Sequence, residues 1–158
     1  MKDKVIGILD ELDIAYRWVD HPAVFTVAES TKLIDGKRPI KNLLVQEKGG
    51  GRRILVIMAG EDRLDTKLIA SSLGTKKVHF ADPETLKSSL GVAPGAVSVF
   101  GLLYEGSKDV EVVIDEKLLG EPELGFHPND NTATLFIPGE SLSRIIEKTG
   151  HKLTKLKF

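Results

Sequence analysis

The 158-residue chain contains no cysteine, which removes disulfides, thiolate metal sites and a cysteine nucleophile but leaves the compartment open. It also lacks excess charge. The formal balance is −1, whereas a protein that grips long nucleic acid is usually basic, so any RNA contact is expected to be local. No window is apolar enough for a membrane span or resembles a signal peptide, so a cytoplasmic protein with no membrane partner is expected. The G-x-S-x-G elbow, the H-E-x-x-H motif, the Walker A loop and the G-x-G-x-x-G fingerprint are all missing. Four scattered histidines do not make a metal site, and neither a metal nor another cofactor is expected. Repeats, linkers and low-complexity segments are absent too.

What is present is the composition of an ordinary globular protein, 41% hydrophobic and 28% charged. A chain of this length buries about 70% of its unfolded surface, enough for a real core, and one domain spanning residues 1–158 is expected.

Val5, Ile8, Leu9 and Leu12 recur at helical offsets and predict an amphipathic helix over residues 3–14. Ala15 to Val19 reads as a short strand ended by His21-Pro22, where the histidine reads as structural. Thr26-Val27-Ala28-Glu29 has the capping-box pattern and opens a short helix to about Ile34, followed by a turn over Asp35 to Pro39. Ile40 to Glu47 and Arg53 to Ala59 form a hairpin around Lys48-Gly49-Gly50-Gly51. Those glycines could cradle a phosphate, but no GK[ST] and no helix start follow them. Alternation puts Lys41 on the face of Leu43 and Val45, and Asn42 on the other with Leu44 and Gln46. Lys41 therefore points inward or snorkels to solvent.

Asp65 caps a helix through Leu73 with Gly74 at its end; Val78-His79-Phe80 is a brief strand; Asp82-Pro83-Glu84 starts a helix that Gly91 terminates. Pro94 to Gly101 is small and glycine-flanked, a composition that lets backbone approach a ligand or another strand. Val110 to Ile114 is a strand, Asp115 to Leu119 a helical turn, Ala133 to Ile137 a strand, and Leu142, Ile145 and Ile146 mark a helix closed by Gly150. Leu153 to Phe158 is a last strand whose lysines guard an edge or touch RNA backbone. Short strands interleaved irregularly with helices predict a mixed α/β, or α+β, domain: a curved, largely antiparallel or mixed sheet surrounded by helices.

Phe126 to Thr134 gathers an imidazole, two amides, a carboxylate and two hydroxyls directly before an apolar run. Such a loop either orients a polar ligand or is a turn whose side chains bond their own backbone. Among the candidates left by these exclusions, Lys41 with Asn42, the backbone over residues 95–101 and the His127 loop, none supplies an obvious nucleophile.

His21-Pro22, then Lys41-Asn42-Leu43, then Pro94 through Leu102, then Phe126-His127-Pro128-Asn129-Asp130-Asn131-Thr132-Ala133-Thr134 resemble, in order and spacing, the freestanding prolyl-tRNA editing proteins, the ProX/PrdX group of the YbaK family. The resemblance covers essentially the whole chain and implies hydrolysis of alanine mischarged on proline tRNA, with the tRNA acceptor end as partner and prolyl-tRNA synthetase as a further one. It makes Lys41 the leading functional residue. One departure stands out: Val99 occupies the place of the proline in the family's Gly-x-x-x-Pro loop.

An ester is activated enough for positioning and oxyanion stabilisation to suffice. Lys41 is then expected to pair with the terminal phosphate or ribose, backbone N–H groups near Gly95 and Gly101 to receive the oxyanion, and Asn42, Ser98, Phe100, His127, Asn129 and Asn131 to hold substrate. A lysine base, a deacylase for cysteine or another amino acid, and a noncatalytic module that binds aminoacyl-tRNA or a synthetase stay open as alternatives.

Overall fold

The structure, a computed structural model, describes residues 2–23, 39–129 and 131–158. The capping box at Thr26, its helix and the following turn up to residue 38 lie outside the described residues, as does Asp130. The chain runs α1 (Lys2–Glu11), β1 (Arg17–Asp20), β2 (Ile40–Glu47), β3 (Arg53–Ala59), α2 (Thr66–Leu73), β4 (Val78–Phe80) and α3 (Pro83–Leu90). It continues through β5 (Val110–Asp115), β6 (Leu124–Phe126), β7 (Ala133–Ile137), α4 (Ser141–Lys148) and β8 (Leu153–Leu156). Short 3-10 turns occupy Val99–Leu103, Glu105–Ser107 and Glu116–Leu118.

The mixed α/β class holds, with two sheets where one was expected. A five-stranded sheet has the order β4-β2-β3-β5-β8, in which β2 is antiparallel to both neighbours while β3, β5 and β8 run parallel. A three-stranded antiparallel sheet has the order β1-β7-β6.

β3 is central and buried on both faces, which is why its sequence reads as an unbroken apolar run. Its alternate residues serve two cores. Leu55 and Ile57 join Leu44, Phe100, Phe126 and Leu135 on one side, together with α1, α3 and α4. Ile54, Val56 and Met58 join Val45 and Ile69 of α2 on the other. The register pairs Lys41 with Met58 and Asn42 with Ile57. Lys41 thus belongs to the α2 face and Asn42 to the face that carries Phe100 and Phe126, the division that alternation predicts.

The predicted caps form as expected. Asp65 accepts from the backbone N–H of Lys67 and Leu68 at 3.0 and 3.1 Å, and Asp82 from that of Thr85 at 2.8 Å with Pro83 behind it. Gly74 and Gly91 end their helices at φ 68°. α1 stops at Glu11, short of the expected residue 14. Asp13 adopts φ 56°, and the N–H groups of Asp13 and Ile14 turn back to the carbonyls of Asp10 and Leu9 at 3.1 and 2.9 Å, a Schellman closure without glycine.

The glycine hairpin is occupied by its own acid. The Glu47 carboxylate accepts from the backbone N–H of Lys76 at 2.8 Å and of Arg52 at 3.3 Å, and it sits where a side chain at Gly51 would go. A carboxylate in that position repels a phosphate. Arg52 is likewise committed, bidentate to Glu111 at 2.7 Å for both bonds and to the Leu73 carbonyl at 2.8 Å.

Two outcomes follow from these contacts. A Cβ at Gly74 meets nothing within 4 Å, whereas one at Gly91 would lie 2.7 Å from the Tyr104 ring. Gly74→Ala should therefore cost about 1 kcal/mol of backbone strain and Gly91→Ala distinctly more, a ranking read by urea unfolding. The Arg52 guanidinium beside Glu111 holds its carboxyl below the ordinary glutamate range. That stabilisation is complete above the unfolded value of about 4.3 and is lost as pH falls through the lower folded value. Glu111→Gln should flatten the acid limb of the stability profile, and an unchanged limb would remove Glu111 from the acid response.

Candidate functional site

The His127 loop and the glycine-flanked segment meet. Asn129 takes the left-handed conformation, φ 63°, which asparagine tolerates better than most side chains, and its Nδ2 donates to the Phe100 carbonyl at 3.0 Å. A carbonyl can only accept, so this bond fixes which end of the amide faces Phe100. The other end, Oδ1, is buried without a hydrogen-bond partner among the described residues, and so is Oδ1 of Asn42. Beneath this junction Phe100 and Phe126 pack edge to face, ring centroids 6.4 Å apart.

The segment around Gly95 is less open than its composition suggests. Val99–Leu103 forms a 3-10 turn capped by Ser98, whose Oγ accepts from the Phe100 N–H at 3.0 Å. The Gly101 N–H donates to the Ser98 carbonyl at 3.0 Å, and a Cβ at Gly101 would press on Leu90 at 3.1 Å. Ser98, Val99 and Phe100 have no exposed surface, and Gly101 is buried with them. Gly95, at φ 90°, and Val97 are only half-buried, so the accessible backbone of the segment is at its beginning.

Lys41 is half-buried, and its Nζ donates to the Asp62 carbonyl at 2.7 Å. The Asp62 carboxylate is paired with Lys117, which also approaches Asp115 at 3.4 Å. The partner of Lys41 is thus a neutral carbonyl, and the nearby acid is already balanced by another cation. Among the described residues one of its three ammonium donors is engaged.

His127 is half-buried, its Nδ1 3.0 Å from the Ala133 carbonyl; in the neutral ring that nitrogen carries the proton and Nε2 is an acceptor. Asn131 is half-buried in the turn that leads into β7. The neighbour of His127 across the small sheet is His21, expected from sequence to be structural. Its N–H continues the β1–β7 ladder to the Thr132 carbonyl at 2.9 Å, its Nε2 lies 2.7 Å from Thr134 Oγ1, and its ring stands 6.2 Å from that of His127. The signal available beforehand was its position at the end of a strand in a His-Pro pair; its partners lie more than a hundred residues away.

Among the described residues no group of three or more His, Asp or Glu is placed to hold a metal, and no helix is long and apolar enough to cross a membrane.

Comparison with known proteins gives one consistent result. Residues 21–145 match the family model of the aminoacyl-tRNA editing domain. The chain is 36% identical over 160 residues to the prolyl-tRNA editing protein ProX of Acetoanaerobium sticklandii, covering 99% of this chain and 97% of that one. It is 30% identical over 163 residues to the prolyl-tRNA synthetase associated domain-containing protein 1 of Danio rerio, covering 100% and 88%. A crystal structure described as a candidate trans-editing enzyme for prolyl-tRNA synthetase superposes with a TM-score of 0.75 at 23% identity, over 99% of this chain and 96% of that one, which speaks for the fold. With the family model spanning both histidines, Lys41 and the 95–101 segment, the chain belongs to the aminoacyl-tRNA editing domain family.

Proposed function

We propose that residues 1–158 act as one trans-editing domain in the cytoplasm, hydrolysing alanine esterified to the 3′ end of proline tRNA. At the coarser level this is an aminoacyl-tRNA ester hydrolase of the prolyl-tRNA editing kind. The observation that carries the reading is the bond from Asn129 to the Phe100 carbonyl, which joins the His127 loop to the far end of the glycine-flanked segment and so brings two separate stretches of chain together.

Lys41, which the register puts on the α2 face and not on the face that carries Phe100, is assigned to the terminal phosphate or ribose rather than to the aminoacyl pocket. Its two remaining N–H donors and a neutral partner suit an incoming anion, which need displace no carboxylate. The oxyanion is assigned to the backbone at Gly95 and Val97. Gly101, whose N–H is spent on Ser98 and whose surface is covered, serves as packing, and Ser98 and Phe100 hold the shape of the segment from inside. Water attacks the ester carbonyl and the leaving ribose hydroxyl takes a proton, so no protein nucleophile is required. His127 lines the aminoacyl pocket, with Asn129 and Asn131 shaping its loop. The buried acceptors of Asn42 and Asn129 suit donors such as an α-ammonium or a ribose hydroxyl. Selection follows from size: a closed pocket admits alanine and excludes the proline ring. Prolyl-tRNA synthetase is a fitting partner, since a prolyl-tRNA ligase supplies the tRNA to be checked.

Single-turnover deacylation of a panel of charged tRNAs is the test. Alanyl-tRNA for proline should be cleaved about a hundredfold faster than the correctly charged prolyl-tRNA; equal rates, or cysteine as the preferred group, would overturn the substrate assignment. Lys41→Ala should lower the rate by about 100-fold or more and Lys41→Arg by less, and an alanine variant with wild-type turnover would remove the lysine from the mechanism. His127→Ala should narrow the preference for alanine by about tenfold or more, and an unaltered preference would remove it from the pocket wall.

A further inference from the structure

Resting on that reading of the site, we propose that His21 is a positioning residue which, with Thr134, holds the ring of His127 in its working orientation. The two histidines come from opposite ends of the chain and are brought together by β7. Val19 pairs with Thr134 in the β1–β7 register, and the His21 N–H bonds the Thr132 carbonyl, so His21 sits two places further along the same side as Val19 and reaches diagonally to Thr134. On the other edge Phe126 pairs with Leu135, which places His127, the next residue, on the Thr134 side of the sheet.

Both ring nitrogens of His21 are engaged. Nδ1 lies 2.8 Å from the Pro22 carbonyl oxygen, which can only accept, so Nδ1 carries the proton. In the neutral ring Nε2 is then an acceptor, and Thr134, 97% buried, points its hydroxyl hydrogen at it across 2.7 Å. The tautomer, the ring plane and the hydroxyl are all set by one chain of bonds anchored on the backbone. Against this fixed ring His127 packs at an interplanar angle of 64° with centroids 6.2 Å apart. Its Nδ1 is held by the carbonyl of Ala133, the residue next to Thr134, so a shift of β7 at this point moves these two constraints on His127 together. An imidazole with its flank and its Nδ1 both held loses little entropy when substrate arrives, and small displacements of such groups are expensive in rate.

The consequence is energetic coupling between His21 and Thr134, with His127 as the reporter. Thr134→Val removes the hydroxyl at nearly constant shape, Thr134→Ser keeps it, His21→Ala removes the ring, and His21→Gln restores an acceptor for the hydroxyl. In single-turnover deacylation of alanyl-tRNA for proline, Thr134→Val and His21→Ala should each slow the reaction by about tenfold, the double variant no further than the slower single, and Thr134→Ser and His21→Gln should recover most of the loss. In histidine-selective ¹⁵N spectra of the free protein, the His127 ring signals should move in His21→Ala and Thr134→Val and stay put in Thr134→Ser. Wild-type rates in the two disruptive variants, or additive losses with His127 signals unmoved, would overturn the proposal. The spectra need no substrate. If the wild-type protein cleaves no aminoacyl-tRNA, the functional reading fails while the spectra still decide whether His21 and Thr134 orient His127.

Discussion

One hydrogen bond, from the Asn129 amide to the Phe100 carbonyl, ties together the two loops of the candidate site. Without it the loop over residues 126–134 would be an ordinary polar turn and the 95–101 segment an ordinary buried connection. The bond requires one unusual condition, that Asn129 enter the left-handed region. From below, the Phe100 and Phe126 rings pack edge to face within the larger core and hold the acceptor's residue in place. The same core therefore supports stability and sets the relative placement of two loops.

Away from that junction the charge distribution is economical. Glu47 and Arg52 are satisfied by backbone and by each other's neighbours, Glu111 by Arg52, and Asp62 by Lys117. Lys41, held by a neutral carbonyl, keeps a charge to offer. For a chain of net charge −1, the proposed contact with RNA is with one end of a tRNA through a positioned cation, in place of a broad basic face. That assignment remains a proposal about this chain, whereas its membership in the editing-domain family follows from the match over residues 21–145.

Much of the fold was legible because its signals are local. Asp65 and Asp82 announced helix starts, Gly74 and Gly91 helix ends, and period two in β2 gave the opposite faces of Lys41 and Asn42. Three things were hidden. β6 is only Leu124-Gly125-Phe126, too short to alternate visibly, and it gains its identity from pairing with β7, which splits the expected sheet into two. The 3-10 turn over Val99–Leu103 carries glycine amid apolar residues and looked like open backbone until Leu90 and Ser98 were seen to close it. His21 looked structural because Thr134 and His127 are distant in sequence. The site residues were legible mainly through family resemblance; their contacts depend on tertiary register that no local pattern encodes.

The central claim, that docking of the His127 loop on the Phe100 carbonyl builds the reactive pocket, is tested most directly by Asn129→Gly, since glycine keeps the left-handed backbone and deletes only the amide. Single-turnover deacylation of alanyl-tRNA for proline should fall by about tenfold or more in a variant that still unfolds cooperatively. A wild-type rate in that variant would contradict the account.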